Sequence, residues 1–314
     1  MTYFTKDKPY NTLTEYYKKK YGNKIAKISL NGGFTCPNKD GKKGYGGCIY
    51  CSKLGSGDFA GKIEDPLEVQ FNSVKEVMNN KWKNTKYIVY FQANSNTYKP
   101  VNELKDLFEK AITLDKDIVG IDIATRSDCI NEEIASYLGQ LNKKIDVTVE
   151  LGLQSSNEET SKRINQLETN QEFINAVTLL RKENIEIVVH IINGLPGETI
   201  TDMLNTIHFI NKLDIQGIKF HSLLVLKDTK LYEEYKEKPF KILSLEEYVD
   251  ITVKQITLLK DNIIIHRLSA DGKLDDLISP LWTRKKLVVM NEIDKKLRKE
   301  KLYQGMNYKN QDND

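Results

Sequence analysis

The chain is poor in cysteine, in proline and in long apolar segments. It has four cysteines and seven prolines among 314 residues, and three of the cysteines lie close together in sequence. This pattern does not suit a disulfide framework, so we expect a protein of a reducing compartment. No apolar run reaches the ~18 residues of a transmembrane helix. Residues 1–22 lack the apolar core of a secretory signal peptide. Together these absences predict a cytoplasmic protein with no membrane partner.

Strand-like and helix-like segments alternate along most of the chain, without an internal repeat or a low-complexity linker. The six predicted strands are Lys24–Asn31, Tyr87–Ala93, Ile118–Ala124, Asp146–Leu153, Glu186–Ile192 and Gly217–Leu224. Helical patterns separate them, which predicts an α/β fold with a parallel sheet. Six units are too few for a full eight-unit barrel, so we predict a partial (β/α)6 TIM-like barrel. An open, doubly wound sheet is the alternative, because periodicity does not distinguish the two.

The expected domain organisation is a large core followed by a small extension. The core covers residues 1–231 and includes a basic N-terminal segment and an irregular loop over residues 32–61. The extension covers residues 232–314 and is expected to pack on the barrel. Its tail, residues 303–314, is polar and is expected to be disordered.

Positive charge is concentrated near the N-terminus. Residues 1–53 hold eleven lysines and three acidic residues, a net charge of +8, whereas the whole chain has a net charge of +3. A basic segment of this kind is typical of a surface that meets RNA or an anionic cofactor. A solvated, lysine-rich surface has the same composition, so charge alone does not decide between the two. Nothing in the pattern points to DNA.

The irregular loop carries Cys36, Cys48 and Cys51, with eleven and then two residues between them. Three thiolates leave a four-coordinate metal, or one iron of an iron–sulfur cluster, one ligand short. A structural zinc site would need a fourth cysteine or histidine at short spacing. Cys129 and His190 are both distant in sequence, and an isolated cysteine such as Cys129 is more typical of a small buried residue. The spacing favours an open cluster site, with zinc as the alternative.

Polar residues and glycines follow every predicted strand. In a parallel α/β sheet the ligand site lies at the C-terminal ends of the strands, so these residues are expected to surround one mouth. They include Gln92 and Asn94 at the end of the second strand, Arg126 after the third, Glu150 and Gln154 on and directly after the fourth, Gly194 after the fifth, and Lys219 and His221 on the sixth. The three thiols of the loop would lie at the rim of this mouth.

Six motifs occur in order between residues 24 and 231: GGFTCPNKDGKKGYGGCIYC, YFQANSNTY, IDIATRSDC, VELGLQSSN, VHIINGLPGET and IKFHSLLVLKDTKL. In these motifs the chain resembles the radical S-adenosylmethionine (SAM) superfamily. It is most similar to the branch of the Elongator catalytic subunit and, within that branch, to the short bacterial YhcC/YtqA-type proteins. The segment HRLSADG at residues 266–272 extends the resemblance. The eleven-residue first gap departs from the superfamily's commonest C-x-x-x-C-x-x-C spacing but agrees with this branch.

The resemblance implies an enzyme with a [4Fe–4S] cluster and SAM as cofactors. Cys36, Cys48 and Cys51 would bind three irons, and the fourth iron would bind the amino and carboxylate groups of SAM. One electron would cleave SAM to methionine and a 5′-deoxyadenosyl radical, which abstracts hydrogen from the substrate. The electron donor would be reduced flavodoxin or ferredoxin. The substrate would be tRNA or another RNA, with a small metabolite or a protein as the alternatives.

The resemblance also implies which residues meet SAM. Gln92 and Asn94 would lie at its amino group, and Glu150 and Gln154 at its ribose and methionine parts. Arg163 would bind the carboxylate of SAM with two parallel hydrogen bonds, which a lysine cannot make. Gly194 would let the backbone approach the adenine. The competing hypothesis is a non-catalytic, zinc- or iron–sulfur-bearing RNA-binding module, which would have no use for polar groups at every strand end.

Overall fold

The computed structural model describes residues 2–55, 57, 60–81, 84–270 and 272–309. The chain divides into two compact units. The cysteine unit comprises residues 17–152 and 165–188, and the C-terminal unit comprises residues 1–16, 153–164 and 189–314.

Within the described residues, seven strands form one sheet in the order β1 (Lys24–Leu30), β2 (Thr85–Phe91), β3 (Ile118–Thr125), β4 (Asp146–Gln154), β5 (Glu186–Asn193), β6 (Gly217–Ser222) and β8 (Ile264–Arg267). The pairs β1–β2, β2–β3, β3–β4 and β6–β8 are parallel. A separate antiparallel pair joins β7 (Val225–Leu226) to β9 (Leu277–Ser279).

Apart from the first and the last, the helices fall between these strands, as the alternation of the sequence predicts. They are α1 (Leu13–Tyr21), α2 (Leu67–Lys81), α3 (Val101–Ile112), α4 (Glu132–Asn142), α5 (Glu158–Arg163), α6 (Asn170–Lys182), α7 (Ile200–Asn211), α8 (Lys230–Glu237), α9 (Leu245–Leu258) and α10 (Lys286–Lys299). No helix in the described parts of the chain combines the length and the apolar composition needed to cross a membrane.

The strand order decides between the two predicted sheets. A doubly wound sheet reverses its strand order at a switch point, whereas here the strands follow one another in sequence order. The prediction of a partial, TIM-like barrel is therefore confirmed. The seventh strand, β8, pairs with β6 at the edge of the sheet. It lies beyond the six units on which the prediction was based.

The two faces of the sheet in the cysteine unit have different chemistry. Phe91 packs against Phe108 of α3, and Tyr87 packs against Phe71 of α2, with ring centroids 5.1 and 5.6 Å apart. Side chains alternate along a strand, so Tyr90 points to the opposite face. That face also carries polar residues of β1, β3 and β4, which are described below. The helix-covered face holds the apolar core.

Helix α1 binds the N-terminal ends of two strands. Lys20 Nζ lies 3.3 Å from Asp146 and 3.1 Å from Glu186, the first residues of β4 and β5. The Tyr21 hydroxyl donates to Asp146 at 2.8 Å. The cysteine loop follows the C-terminal end of β1, so α1 and the loop lie at opposite ends of the strands.

The predicted boundary between residues 231 and 232 stays a prediction. The expected disorder of the tail does not extend to Gln304, which is 1% exposed. Gln304 accepts a hydrogen bond from the Asn11 amide at 2.9 Å and donates to the carbonyls of Lys260 and Ile263 at 2.7 Å. These bonds hold an otherwise polar segment in place. Residues 310–314 of the predicted tail lie outside the described residues.

Candidate active site

The loop between β1 and α2 presents three half-buried thiols, Cys36, Cys48 and Cys51, and none of them forms a disulfide. The Cys51 amide donates to the Cys48 carbonyl at 3.0 Å, so these two residues share one turn. A hydrogen bond between the Cys48 and Cys51 thiols and burial raise the pKa of the Cys48 thiol, while the charge of Arg126 lowers it. A bound metal would displace these thiol protons.

Asn94 holds the cysteine loop against the end of β2. Its Nδ2 donates to the Phe34 carbonyl at 3.0 Å, its Oδ1 accepts from Lys39 Nζ at 2.9 Å, and its amide donates to the Gly55 carbonyl at 2.9 Å. Its φ of 62° is one that asparagine tolerates better than most residues. Both ends of this side chain contact the loop. The predicted contact of Asn94 with SAM stays a prediction.

The residues after Asn94 join the end of β2 to the end of β3. Thr97 Oγ1 lies 2.7 Å from Thr125 Oγ1, and Asn96 Nδ2 donates to the Ala124 carbonyl at 2.7 Å. The Ser95 hydroxyl is buried and has no partner among the residues that the structure describes. Gln92, predicted to meet SAM, is half-buried just beyond β2.

A second segment, the turn at residues 165–168 before α6, supports the loop from another side. Asn165 Nδ2 donates to the carbonyls of Gly47 at 2.8 Å and Tyr45 at 3.2 Å. The turn has two residues with positive φ, Asn165 at 54° and Leu167 at 60°. Leucine rarely adopts such a conformation, and it persists only where surrounding contacts impose it.

Arg126 connects this turn to the end of β3. Its guanidinium donates two hydrogen bonds to Asp128, at 2.9 and 2.7 Å, and one to the Gln166 carbonyl at 3.0 Å. Glu168 accepts from the Ser127 amide at 2.7 Å and from its hydroxyl at 2.6 Å. Arg126 is 8% exposed, so these bonds are made away from solvent. The result is a rigid support beneath the cysteine loop.

Lys27 of β1 lies at the centre of a buried polar cluster on the face of the sheet opposite to Tyr87 and Phe91. Its Nζ pairs with Asp122 of β3 and, at 3.1 Å, with Glu150 of β4. The Tyr90 hydroxyl donates to Glu150 at 2.6 Å. Burial lowers the pKa of Lys27, but Asp122, Tyr17 and Glu150 outweigh it and raise that pKa well above its usual value. Glu150 thus has protein partners, and its predicted contact with SAM stays a prediction.

The other predicted SAM contacts lie in the C-terminal unit. Gln154 ends β4 with a φ of 62°, and Gly194 follows β5 with a φ of 88°. Arg163 ends α5, and its Nη2 lies 2.6 Å from Glu234 of α8. Its side chain is 46% exposed and lines a cavity of about 640 Å³ together with Glu234 and Phe240. The carboxylate that Arg163 binds here is that of Glu234, so its predicted role at SAM stays a prediction.

Two histidines of the C-terminal unit lie ring to ring on neighbouring strands. The ring centroids of His190 on β5 and His221 on β6 are 5.1 Å apart. Lys219 precedes His221 on the same face of β6, with the fully buried Phe220 between them on the other face.

Glu198 should make the stability of the protein depend on pH. Burial raises its pKa to about 7, opposed by a hydrogen bond from Ser155. The folded chain therefore retains a proton that the unfolded chain releases at lower pH, and stability falls as pH rises from about 4.5 to about 7. The free energy of unfolding, measured in urea at pH 5 and at pH 8, should decrease between these two pH values. In Glu198→Gln this decrease should be smaller by roughly 1–2 kcal/mol, a figure reduced for the partial exposure of the side chain. An exposed control, Glu237→Gln, should keep it, and an unchanged slope in Glu198→Gln would contradict the argument.

The residues of the cysteine unit fit a [4Fe–4S] cluster. Thiolates are the ligands that iron–sulfur clusters take, and three of them leave one iron for another ligand. In a cluster the thiolates bind different irons, whereas in a zinc site all ligands share one ion. Within the described residues no three cysteine, histidine, aspartate or glutamate side chains are placed to hold one metal ion. The three thiols, which form no disulfide, are the donor set that such a cluster takes.

Sequence patterns did not reveal the residues that hold the loop. Asn165 and Glu168 carry no motif, and their importance appears only when the turn packs on the loop. Lys27 had a weak signal, since a lysine at an inward position of an otherwise apolar strand needs a charged partner.

Comparison with known proteins agrees with this site. The model of the radical SAM superfamily matches residues 36–210, more than half of the chain, and that of the radical SAM C-terminal domain matches residues 215–299. Protein YtqA of Bacillus subtilis (strain 168) is 42% identical over 303 residues, which cover 96% of this chain and 94% of YtqA.

More distant relatives match part of their own length. The structure of the archaeal Methanocaldococcus infernus Elp3 shares the fold with a TM-score of 0.65 at 16% identity, over 90% of this chain and 64% of that one. The tRNA uridine(34) acetyltransferase of Methanocaldococcus infernus is 29% identical over 136 residues, 42% of this chain and 25% of the relative. The model matches and the YtqA relationship together span the cysteine loop, the sheet and the C-terminal helices. The chain therefore belongs to the radical SAM superfamily, a family of enzymes that bind a [4Fe–4S] cluster and SAM.

Proposed function

We propose that the protein is a radical SAM enzyme that abstracts a hydrogen atom from an RNA substrate, with tRNA as the first candidate. The observation that carries the proposal is the loop with three thiols that form no disulfide, supported at the ends of β2 and β3 in a chain of this family. When bound, the cluster supplies the electron that cleaves SAM to methionine and the 5′-deoxyadenosyl radical, which takes hydrogen from the substrate.

The chain's own residues bind the cofactors, orient them and exclude water from the site. Cys36, Cys48 and Cys51 would hold the cluster, and Asn94 and Asn165 keep their loop in place from two sides. A radical needs a site whose geometry does not relax, and the paired polar residues around the loop supply that rigidity.

The SAM contacts follow the strand ends. Gln92, Gln154 and Gly194 keep the roles that the resemblance implies, at the amino group, the methionine part and the adenine. Asn94, Glu150 and Arg163 would have to give up or share their present partners to act on SAM. We add Ser95 as a candidate for the amino group, because its buried hydroxyl has no partner among the described residues.

The RNA substrate is supported by the relatives and only in part by charge. The name of one relative specifies a tRNA uridine, and Elp3 shares the fold. Lys8, Lys20, Lys27 and Lys43 of the basic segment are paired with carboxylates, so much of its charge is neutralised within the protein. Lys42 and Lys53 of the cysteine loop are exposed; Lys53 follows Cys51 by two residues, and Lys42 Nζ lies 5.1 Å from the centroid of the Tyr98 ring. They are the lysines that we expect to meet phosphate.

The electron donor and the location follow from the same chemistry. Reduced flavodoxin or ferredoxin would deliver the electron, and the cytoplasm would keep the four thiols reduced.

Anaerobic reconstitution tests the proposal. The purified protein, loaded with iron and sulfide, should produce 5′-deoxyadenosine from SAM and a reductant, and tRNA should increase the yield. A fully loaded cluster that yields no 5′-deoxyadenosine, with tRNA present, would contradict the enzyme. It would leave the non-catalytic RNA-binding module as the better hypothesis.

Salt dependence of tRNA binding tests the substrate separately. The affinity for tRNA, measured by gel shift, should fall as the salt concentration rises. In the double variant Lys42→Gln/Lys53→Gln, the slope of log affinity against log salt concentration should be smaller in magnitude by about one for each phosphate that is no longer bound. The matched control neutralises Lys295 and Lys299, exposed lysines of α10 in the other unit, and should keep the slope. Equal slopes in both variants, or no binding at low salt, would remove RNA as the substrate.

A further inference from the structure

Asn38 lies two residues after Cys36 and is completely buried within the cysteine loop. Its Nδ2 is 3.7 Å from Cys48 Sγ, within reach of an N–H···S hydrogen bond, and it also donates to the backbone carbonyl of Asn165. Its Oδ1 has no partner among the described residues. The side chain therefore uses its donor end and leaves its acceptor end unsatisfied.

The contacts decide which end of the amide faces the sulfur. A backbone carbonyl can only accept, so the atom next to the Asn165 carbonyl must be the amino nitrogen. An amino group has two N–H bonds, and the second is available for Cys48. The Asn38 carbonyl accepts from the Gly47 amide at 2.8 Å, which holds the residue from its backbone side. A side chain at Gly44 would overlap Asn38 Oδ1, so the glycine leaves the amide its space.

An unsatisfied buried carbonyl lowers stability, and a leucine of similar size would avoid that loss. The contribution of Asn38 must therefore come from its N–H groups. One N–H of Asn38 donates to the carbonyl of Asn165 and supports the turn there. The other N–H points the positive end of its dipole at Cys48 Sγ, which binds the cluster under the proposed function.

We propose that Asn38 is a positioning residue that donates a hydrogen bond to the cluster-bound Cys48 thiolate and raises the reduction potential of the cluster. The inference rests on the proposed function for the identity of the ligands. Reduction adds negative charge to the cluster, and hydrogen bonds to its sulfurs favour the more negative state. Asn38 thus makes the cluster easier to reduce and orients Cys48 within the loop.

The test is an EPR-monitored redox titration of the reconstituted protein. Asn38→Leu should shift the midpoint potential to a more negative value, and Asn38→Asp should shift it further, because it adds a negative charge. The matched control is Asn165→Ala, which removes the side-chain bonds to Gly47 and Tyr45 but keeps the backbone carbonyl that Asn38 binds. It loosens the loop without removing the N–H···S bond, so its potential should stay at the wild-type value. An unshifted potential in Asn38→Leu, or an equal shift in Asn165→Ala, overturns the proposal.

A second measurement does not depend on the Asn38 variants retaining a cluster. Wild-type protein grown with asparagine labelled with ¹⁵N in the side chain should give a ¹⁵N coupling in the pulsed EPR spectrum of the reduced cluster. The coupling should persist in Asn165→Ala. A reduced cluster without this coupling overturns the inference and leaves the proposed function intact. A wild-type protein that takes up no cluster overturns both.

Discussion

Each of the substitutions Cys36→Ala, Cys48→Ala and Cys51→Ala should abolish binding of the [4Fe–4S] cluster, whereas the Cys129→Ala protein should still bind it. A cluster bound by three thiolates loses a whole iron ligand with each change, and no other thiol of the chain is in the loop. The brown absorbance of the reconstituted protein should fall to background in the three loop variants. Formation of 5′-deoxyadenosine from SAM should fall to background with it.

Cys129 is the matched control because it is a thiol of a different kind. It is 8% exposed, and burial raises its pKa above the ordinary value, with Asp128 adding to the effect. A buried neutral thiol of this sort packs as a small apolar group. Cys129→Ala should lower stability by about 1 kcal/mol and leave iron content and activity near wild type. Loss of the cluster in a folded Cys129→Ala protein, or a full cluster in any loop variant, would show that the ligands are assigned wrongly.

Lys27→Met should lower the free energy of unfolding by about 3–5 kcal/mol, the cost of leaving buried carboxylates without their cation. Asp122 and Glu150 are each 1% exposed, and Lys27 Nζ contacts both. The Tyr90 hydroxyl would still donate to Glu150, but Asp122 would lose its ion pair. The pKa of Lys27 is raised, so its contribution is fully present at neutral pH and is lost only in strong alkali.

Urea unfolding at two pH values measures this effect. The loss in Lys27→Met should be smaller at pH 5 than at pH 8, since protonation relieves an unpaired carboxylate. Lys24→Met replaces an exposed lysine on the same strand and should change stability by less than about 0.5 kcal/mol. Adding Asp122→Asn and Glu150→Gln to Lys27→Met should recover part of the loss. Equal stability of the Lys27 and Lys24 variants would mean that the buried ion pairs of Lys27 contribute little to the free energy of unfolding.

The fold was predictable from local sequence patterns, whereas the contacts around the cysteine loop were not, and the reason is physical. Strands such as Ile118–Thr125 are apolar and short and lie between amphipathic helices, so local pattern was enough to place them. The ends of β2 and β3 were expected to carry polar groups, and they do. What those groups contact was not predictable, because Asn94 faces a loop whose course no periodicity describes.

Contacts between distant parts of the chain account for the rest. Asn38 and Asn165 are 127 residues apart and share a hydrogen bond, and Lys27 meets Glu150 from 123 residues away. Neither pair has a local signal, because such pairing depends on which strands become neighbours. The disorder predicted for the tail failed at Gln304 for the same reason, since a polar residue can be ordered by distant carbonyls.

The sequence by itself determined the alternation of strands and helices, the three clustered thiols and, through its motifs, the radical SAM family. Those properties are local, because they depend on residue type and spacing along the chain. Only the tertiary structure decided the sequential strand order, the two supports of the cysteine loop and the pairing of Lys27 with two buried carboxylates. These depend on which segments come together in space, where burial makes an unpaired charge or amide costly and so selects the partners.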